Sequence, residues 1–287
     1  MIRLENVRSR DAGDFQLEIP SLSIGPGLTL VTGRNGAGKS TLLRLLATAE
    51  EPESGRIVYR EGTLAEALPR IRATLGYLPA ELELYDHMTP SQFVRYMAEL
   101  KGIEDPAHER LMLEELGLAD VGSRRIAGLS QGQRQRTGIA QALLGFPDYL
   151  LLDEPLEGLD AMHRNRLARL LDGYAASRSV IVTTHELAAW QHADTILLLE
   201  EGRLLFAGSA YEWLRTAPLA VWSGLLPENE AHSLPEDAVL ARKREDGQWR
   251  VRLAAEHPPA PGWQEESVTL EDAYQIRMLQ RRRAAAG

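Results

Sequence analysis

Gly33-Arg34-Asn35-Gly36-Ala37-Gly38-Lys39-Ser40-Thr41 fits the pattern G-x-x-x-x-G-K-[ST]. It stands between an apolar run, Leu28 to Thr32, and leucines at helical spacing, Leu42, Leu43, Leu45 and Leu46. Strand, loop and helix in that order is the context in which this pattern cradles phosphate. Gly33, Gly36 and Gly38 let the backbone turn inward, so that successive N–H groups converge on phosphate oxygens. A helix beginning near Lys39 adds the positive end of its dipole. Lys39 supplies a mobile cation for the terminal phosphates, and the Ser40 hydroxyl is placed to ligate Mg2+. A nucleoside triphosphate site is expected.

A second constellation narrows the chemistry. Tyr149-Leu150-Leu151-Leu152-Asp153-Glu154-Pro155 is an apolar strand that ends in two carboxylates. The carboxyl edge of an α/β sheet is where such folds bind ligands. Asp153 is expected in the Mg2+ shell, and Glu154 is expected to polarise a water for in-line attack on the γ-phosphorus. No Asn-Lys-x-Asp sequence is present to read guanine, which argues against a GTPase.

These residues need a scaffold. Apolar runs at Ile2 to Val7, Phe15 to Ile19, Leu22 to Ile24 and Leu28 to Thr32 predict four strands, with Gly25-Pro26-Gly27 as a turn before the last. Strand-like segments follow at 57–59 and 75–79, and helical spacing predominates from about 88 to 145. The runs 148–152 and 180–184 have the short, bounded character of buried parallel strands, with a helix over 161–174 between them. The runs 196–199 and 203–206 flank Glu200-Glu201-Gly202 and predict a hairpin. Beyond about 215 prolines become frequent, short strands are expected at 237–242 and 248–253, and a last helix at 270–283.

Composition supports this layout. The 287 residues are 44% hydrophobic and 25% charged, as expected of a globular chain of roughly two folding units. There is no cysteine, which excludes a disulfide scaffold and a thiolate metal site. No apolar run approaches the ~18–20 residues that cross a bilayer, and the charged start, MIRLENVRSRD, does not read as a targeting segment. The formal net charge of -9 argues against a nucleic-acid partner. A cytoplasmic chain is expected.

Three further motifs carry a family resemblance. Leu129-Ser130-Gln131-Gly132-Gln133 resembles the signature of ABC ATPases, usually Leu-Ser-Gly-Gly-Gln; Leu159-Asp160 resembles their D-loop, and Thr184-His185-Glu186 their H-loop. With the glycine loop and the Asp-Glu strand, five motifs in family order span roughly residues 28 to 205. The resemblance implies an α/β fold: a P-loop NTPase core of the ABC ATPase type with an antiparallel β subdomain and a helical insertion. That domain would cover 1–214, followed by a small α+β C-terminal extension over 215–287. It also implies that two such domains close head to tail around two ATP molecules, as a homodimer or a heterodimer. Ser130, Gln131, Gly132 and Gln133 would then meet the γ-phosphate held by Gly33 to Thr41 of the other copy. Asp160 would link the two sites, and His185 would bond the γ-phosphate and position water beside Glu154.

The resemblance is imperfect at three positions. Where the family carries a Gln that touches Mg2+ and water, this chain has Ala80, so either Glu81 or a water substitutes or the coupling between hydrolysis and partner is altered, with hydrolysis itself expected to survive. The aromatic that stacks on adenine falls near Arg10, and Phe15 is expected to be strand core rather than a base platform. Gln131 replaces a glycine and is expected to add a side chain near the trans phosphate. The hairpin end Gly202 to Gly208 is similar to that of bacterial exporter ATPases, and Val268 to Tyr274 resembles the closing helix of their extension; Arg281 to Arg283 read as a solvated tail. These features imply a separate integral-membrane permease docked between the helical insertion and the core, with the chain peripheral on the inner face of the membrane and export the expected direction. A soluble regulatory or mechanochemical ATPase, and a nucleotide-binding module with impaired turnover, remain the alternatives.

Overall fold

The computed structural model describes residues 1–287 apart from Ala12, Asp14, Gln191 and Gly287, and apart from the side chains of Ala285 and Ala286. The chain divides into two compact units, one of residues 1–185 and 189–207, the other of 186–188 and 208–287.

The first unit opens with strands β1 (Ile2–Arg8), β2 (Glu18–Ile24) and β3 (Gly27–Thr32), then helix α1 (Lys39–Leu46). Strands β4 (Ser54–Tyr59) and β5 (Gly62–Thr63), helix α2 (Leu64–Ala73) and strand β6 (Leu75–Leu78) follow. Helices α3 (Pro90–Leu100), α4 (Pro106–Glu115) and α5 (Gln131–Leu143) form the helical insertion. The unit closes with β7 (Tyr149–Asp153), α6 (Ala161–Ala175), β8 (Ser179–Thr183), β9 (Thr195–Glu200) and β10 (Arg203–Ser209). All ten strands join one sheet in the order β5-β4-β1-β2-β10-β9-β3-β8-β7-β6.

Two patterns of side chains divide that sheet. Strands β7 and β8 are buried at every position, and β3 at every position after its first. They pair in parallel, as continuous apolar runs covered on both faces should. In contrast, β1, β2 and β4 mix buried and exposed positions, and together with β5 they pair antiparallel, which is the expected β subdomain. The expected hairpin between β9 and β10 turns on Glu201 and Gly202, both at positive φ.

The structure corrects one expectation here and adds one helix that the sequence pattern hides. Phe15 to Ile19 and Leu22 to Ile24 are not separate strands: one strand begins at Glu18 and runs through Pro20, leaving Phe15 outside it. Proline costs a sheet only a donor, and on the side of β2 away from β1 the paired residues are Glu18 and Arg203 alone. The sequence reading also missed α2. Pro69 sits inside it and Ala67 has non-helical φ and ψ, so its apolar spacing is broken, although Thr63 and Glu66 form a capping box at its start.

In the second unit, helix α7 (Ala210–Arg215) precedes strand β11 (Ala220–Leu226), helix α8 (Glu228–Ser233), and strands β12 (Val239–Glu245), β13 (Gln248–Ala255) and β14 (Gln264–Glu266). The chain ends in helix α9 (Leu270–Ala286). The four strands form their own sheet, ordered β12-β13-β11-β14. Leu219, Val221, Leu253, Ile276 and Leu279 share its core. Arg252 bonds both Asp272 oxygens, at 3.0 and 2.9 Å, and thereby ties β13 to α9.

Candidate functional site

The loop between β3 and α1 has the backbone that its glycines allow. Gly33, Gly36 and Gly38 have φ of 149°, 79° and 105°, values that side-chain-bearing residues rarely adopt. A Cβ on Gly33 would also lie 2.2 Å from the Leu199 carbonyl oxygen. Gly38 is the N-cap of α1 and offers no side chain to that helix's first N–H groups. Those donors therefore point into the cleft uncapped, as an anion site requires.

That cleft, of about 480 Å3, is lined by Phe15, residues 35–41, Ala80, Asp153 and Glu154. Gly33 and Arg34 contribute from behind it. Lys39 Nζ donates to the Gly33 carbonyl at 2.9 Å and the Arg34 carbonyl at 3.3 Å, which poises the ammonium over the loop with a third N–H to spare. Burial lowers the Lys39 pKa, while the nearby Glu154 and Asp153 carboxylates pull it back up.

Asp153 ends β7 and is only 2% exposed. Thr183 donates to its Oδ1, and its buried Oδ2 has no hydrogen-bond partner among the described residues. A buried carboxylate oxygen without a donor is costly unless a cation completes it. Ser40 lines the same cleft. Among the described residues no group of three His, Cys, Asp or Glu could cage a metal. One carboxylate and one hydroxyl, completed by phosphate and water, is the donor set that Mg2+ takes at phosphate sites. The residues fit that ion.

Glu154 follows with φ of 47°, an unfavourable backbone conformation for a glutamate. His185 Nδ1–H donates to Glu154 Oε2 at 3.0 Å. Burial raises the Glu154 pKa above its ordinary value, and the His185 bond and Lys39 offset part of that rise. A carboxyl held up in this way sits closer to the range useful to a general base.

The remaining expected residues lie elsewhere in the unit. Ser130 is the N-cap of α5: its hydroxyl accepts from the Gln133 N–H, and the Gln133 side chain accepts from the Ser130 N–H. Asp160 caps α6, accepting from the His163 N–H at 2.9 Å. Neither Ser130 nor Asp160 lines the cleft holding Lys39. The Gln131 side chain lies against the D-loop of its own chain, within 3.0–3.2 Å of where a Cβ on Gly158 would stand. A Cβ on Gly132 would meet the Gly158 carbonyl oxygen at 2.7 Å, so the absence of a side chain there serves this packing.

Ala80 does line the cleft, whereas Glu81 lines a neighbouring one with Tyr77 and Lys101. Phe15 was expected in a strand; instead its ring crowds the Gly38 Cβ position, at 2.9 Å, while it also packs against the core. Phe15 and Thr41 reach a second cleft of about 510 Å3, which Arg10 and Arg44 also line. Two contributors escaped the sequence reading. Thr183 was legible only as a polar residue near the end of the expected strand 180–184. Gln135, which donates to the Glu154 carbonyl at 3.3 Å, gave no signal beyond its nearness to the signature.

Comparisons with known proteins agree with this geometry. A family model described as ABC transporter matches residues 17–157. An Fe(3+) ions import ATP-binding protein, FbpC, of Brucella melitensis biotype 1 is 36% identical over 264 residues, covering 88% of this chain and 72% of that protein. A dimeric ATP-binding cassette in a post-hydrolysis state with ADP and Pi superposes with a TM-score of 0.67 at 23% identity, over 73% of this chain and 98% of that one. A bacterial Atm1-family ABC exporter with ATP bound gives 0.67 at 28% identity, over 75% of this chain and 40% of that one. The chain belongs to the ABC transporter family, as a nucleotide-binding domain that binds and hydrolyses ATP.

Proposed function

We propose that the chain drives a separate integral-membrane permease, binding ATP with Mg2+ at a head-to-tail dimer interface. The carrying observation is the single cleft in which Lys39, Ser40, Asp153 and Glu154 meet beneath an uncapped helix N-terminus. Lys39 and the N–H groups of residues 36–41 hold the β- and γ-phosphates, and Phe15 or Arg10 flanks the base. Ser40 and Asp153 hold Mg2+, which when bound neutralises developing phosphate charge. Glu154 takes a proton from the attacking water, and His185 keeps that carboxylate oriented.

Ser130 and Asp160, outside the cleft of their own chain, are left to serve a second copy. With the N-terminus of α5 behind it, Ser130 presents a dipole suited to a γ-phosphate. The permease reading is supported by the relatives and by a groove of about 580 Å3 between core and insertion, lined by Tyr77, Glu81, Glu83, Lys101 and Gln141. Among the described residues no helix is long and apolar enough to cross a membrane; in this reading a separate permease supplies the spans, and the chain docks on it peripherally at the inner face. The similar proteins include an Fe(3+) ions import ATP-binding protein and a bacterial ABC exporter, and the site suits either direction. Homodimer and heterodimer use the same surfaces.

Lys39→Ala tests the reading. It removes the charge-assisted bonds to the terminal phosphates, so ATP affinity in a titration should fall at least about 100-fold. Affinity equal to that of the unaltered chain would mean that the loop does not hold the triphosphate.

A further inference from the structure

Thr183 closes β8, a strand otherwise made of Ser179, Val180, Ile181 and Val182, and it is fully buried. Valine would fill the same volume and suit the strand equally well, so the hydroxyl calls for a reason. A buried hydroxyl must be bonded to be tolerated, and this one is bonded twice. The parallel register sets Thr183 beside Asp153. Its Oγ1 donates to Asp153 Oδ1 and accepts from the Glu154 N–H at 2.9 Å.

Each bond fixes something that the site needs. The first orients the carboxylate so that Oδ2, buried and without a partner among the described residues, remains as its free ligand atom. The second pins the backbone of a glutamate held at φ of 47°, from which Oε2 meets His185 Nδ1 at 3.0 Å. Lys39 faces the same pair of carboxylates, and Tyr77 lies within electrostatic reach of Asp153. Neither makes a hydrogen bond that could substitute for the Thr183 hydroxyl.

We propose that Thr183 is a positioning residue for the divalent cation of bound ATP and for the water-activating glutamate, acting through Asp153 Oδ1 and the Glu154 N–H. The proposal rests on the reading that ATP and Mg2+ occupy this cleft. It assigns to one hydroxyl the alignment of both carboxylates, which the glycine loop and the Asp-Glu pair cannot set by themselves.

The test compares Thr183→Val and Thr183→Ser with the unaltered chain, by equilibrium titration with a fluorescent non-hydrolysable ATP analogue in Mg2+ and in EDTA. In EDTA all three should bind alike. Mg2+ should tighten binding to the unaltered and serine forms, while the valine form loses about tenfold of that gain. In turnover, the Mg2+ concentration for half-maximal rate should rise about tenfold in the valine form, with kcat falling about tenfold and KM for ATP nearly unchanged. Serine should restore each quantity to within about threefold. A role in packing alone would lower the melting temperature and leave the Mg2+ response intact, and a valine form with an unaltered Mg2+ response overturns the proposal. Thr183→Ala carries the same expectation and decides the matter if the valine form does not fold. If the unaltered chain shows no Mg2+-dependent gain in binding, the ATP and Mg2+ reading itself has failed, and the role of Thr183 falls with it.

Discussion

Lys39, Asp153 and Glu154 face one another in a partly desolvated cleft, where the two carboxylates partly offset the lowering of the Lys39 pKa by burial. Burial pushes the Glu154 carboxyl above its ordinary value of 4.5, and the bond from His185 is the largest force against it. In the proposed role Glu154 must be ionised to accept a proton, so kcat should fall with decreasing pH through a midpoint above 4.5. The linkage to stability has a defined sign. Burying the charged form costs the fold stability above the raised pKa, and that cost fades as pH falls through it toward the unfolded value. A pH profile of kcat checks the first statement: an acid limb at or below 4.5, or one that persists unchanged in Glu154→Gln, would contradict it. At this scale the motif residues were legible because phosphate, metal and water each demand a residue type. Phe15, Gln131 and Thr183 were not, because their roles depend on what lies next to them in space: a glycine N-cap, the D-loop of the same chain, and the neighbouring strand's carboxylate.

Among the elements, β7 and β8, with their short apolar runs Leu150 to Leu152 and Val180 to Val182, announced themselves, and so did the helix that follows the glycine loop. Helix α2 stayed hidden because Pro69 and the kink at Ala67 break the period on which such a reading relies. In β2, Pro20 split one strand into two on paper, although the strand tolerates it. Elements also meet at positions that no pattern reveals. A Cβ on Gly76 of β6 would lie 2.0 Å from the Ala142 carbonyl oxygen of α5, so this glycine lets the signature helix seat against the sheet. Gly76→Ala must separate the two and should cost about 1–3 kcal/mol of stability. Urea unfolding measures this, and a midpoint equal to that of the unaltered chain would show that α5 does not pack there.

For the molecule as a whole, the first unit carries both the residues proposed to hold ATP and those proposed to close over a second copy's ATP, and these stand at different places. The signature helix tip and the glycine loop do not share a cleft in one chain. Hydrolysis should therefore work as a switch between two associated states, since the γ-phosphate that would bridge two copies is the group removed. The fold class and the five motifs could be read from the sequence because both are local patterns. The second unit was read only in outline: β11, at the middle of its sheet, and the Arg252–Asp272 pair emerge only from long-range pairing. The most direct measurement is a crystal structure of Glu154→Gln with ATP and Mg2+, in which hydrolysis is blocked and the closed state accumulates. The account predicts two copies related head to tail, with Ser130 and Gly132 of each within hydrogen-bond distance of the γ-phosphate held over Lys39 of the other. ATP bound over Lys39 with Ser130 remote from the nucleotide in every pairing of chains would contradict it.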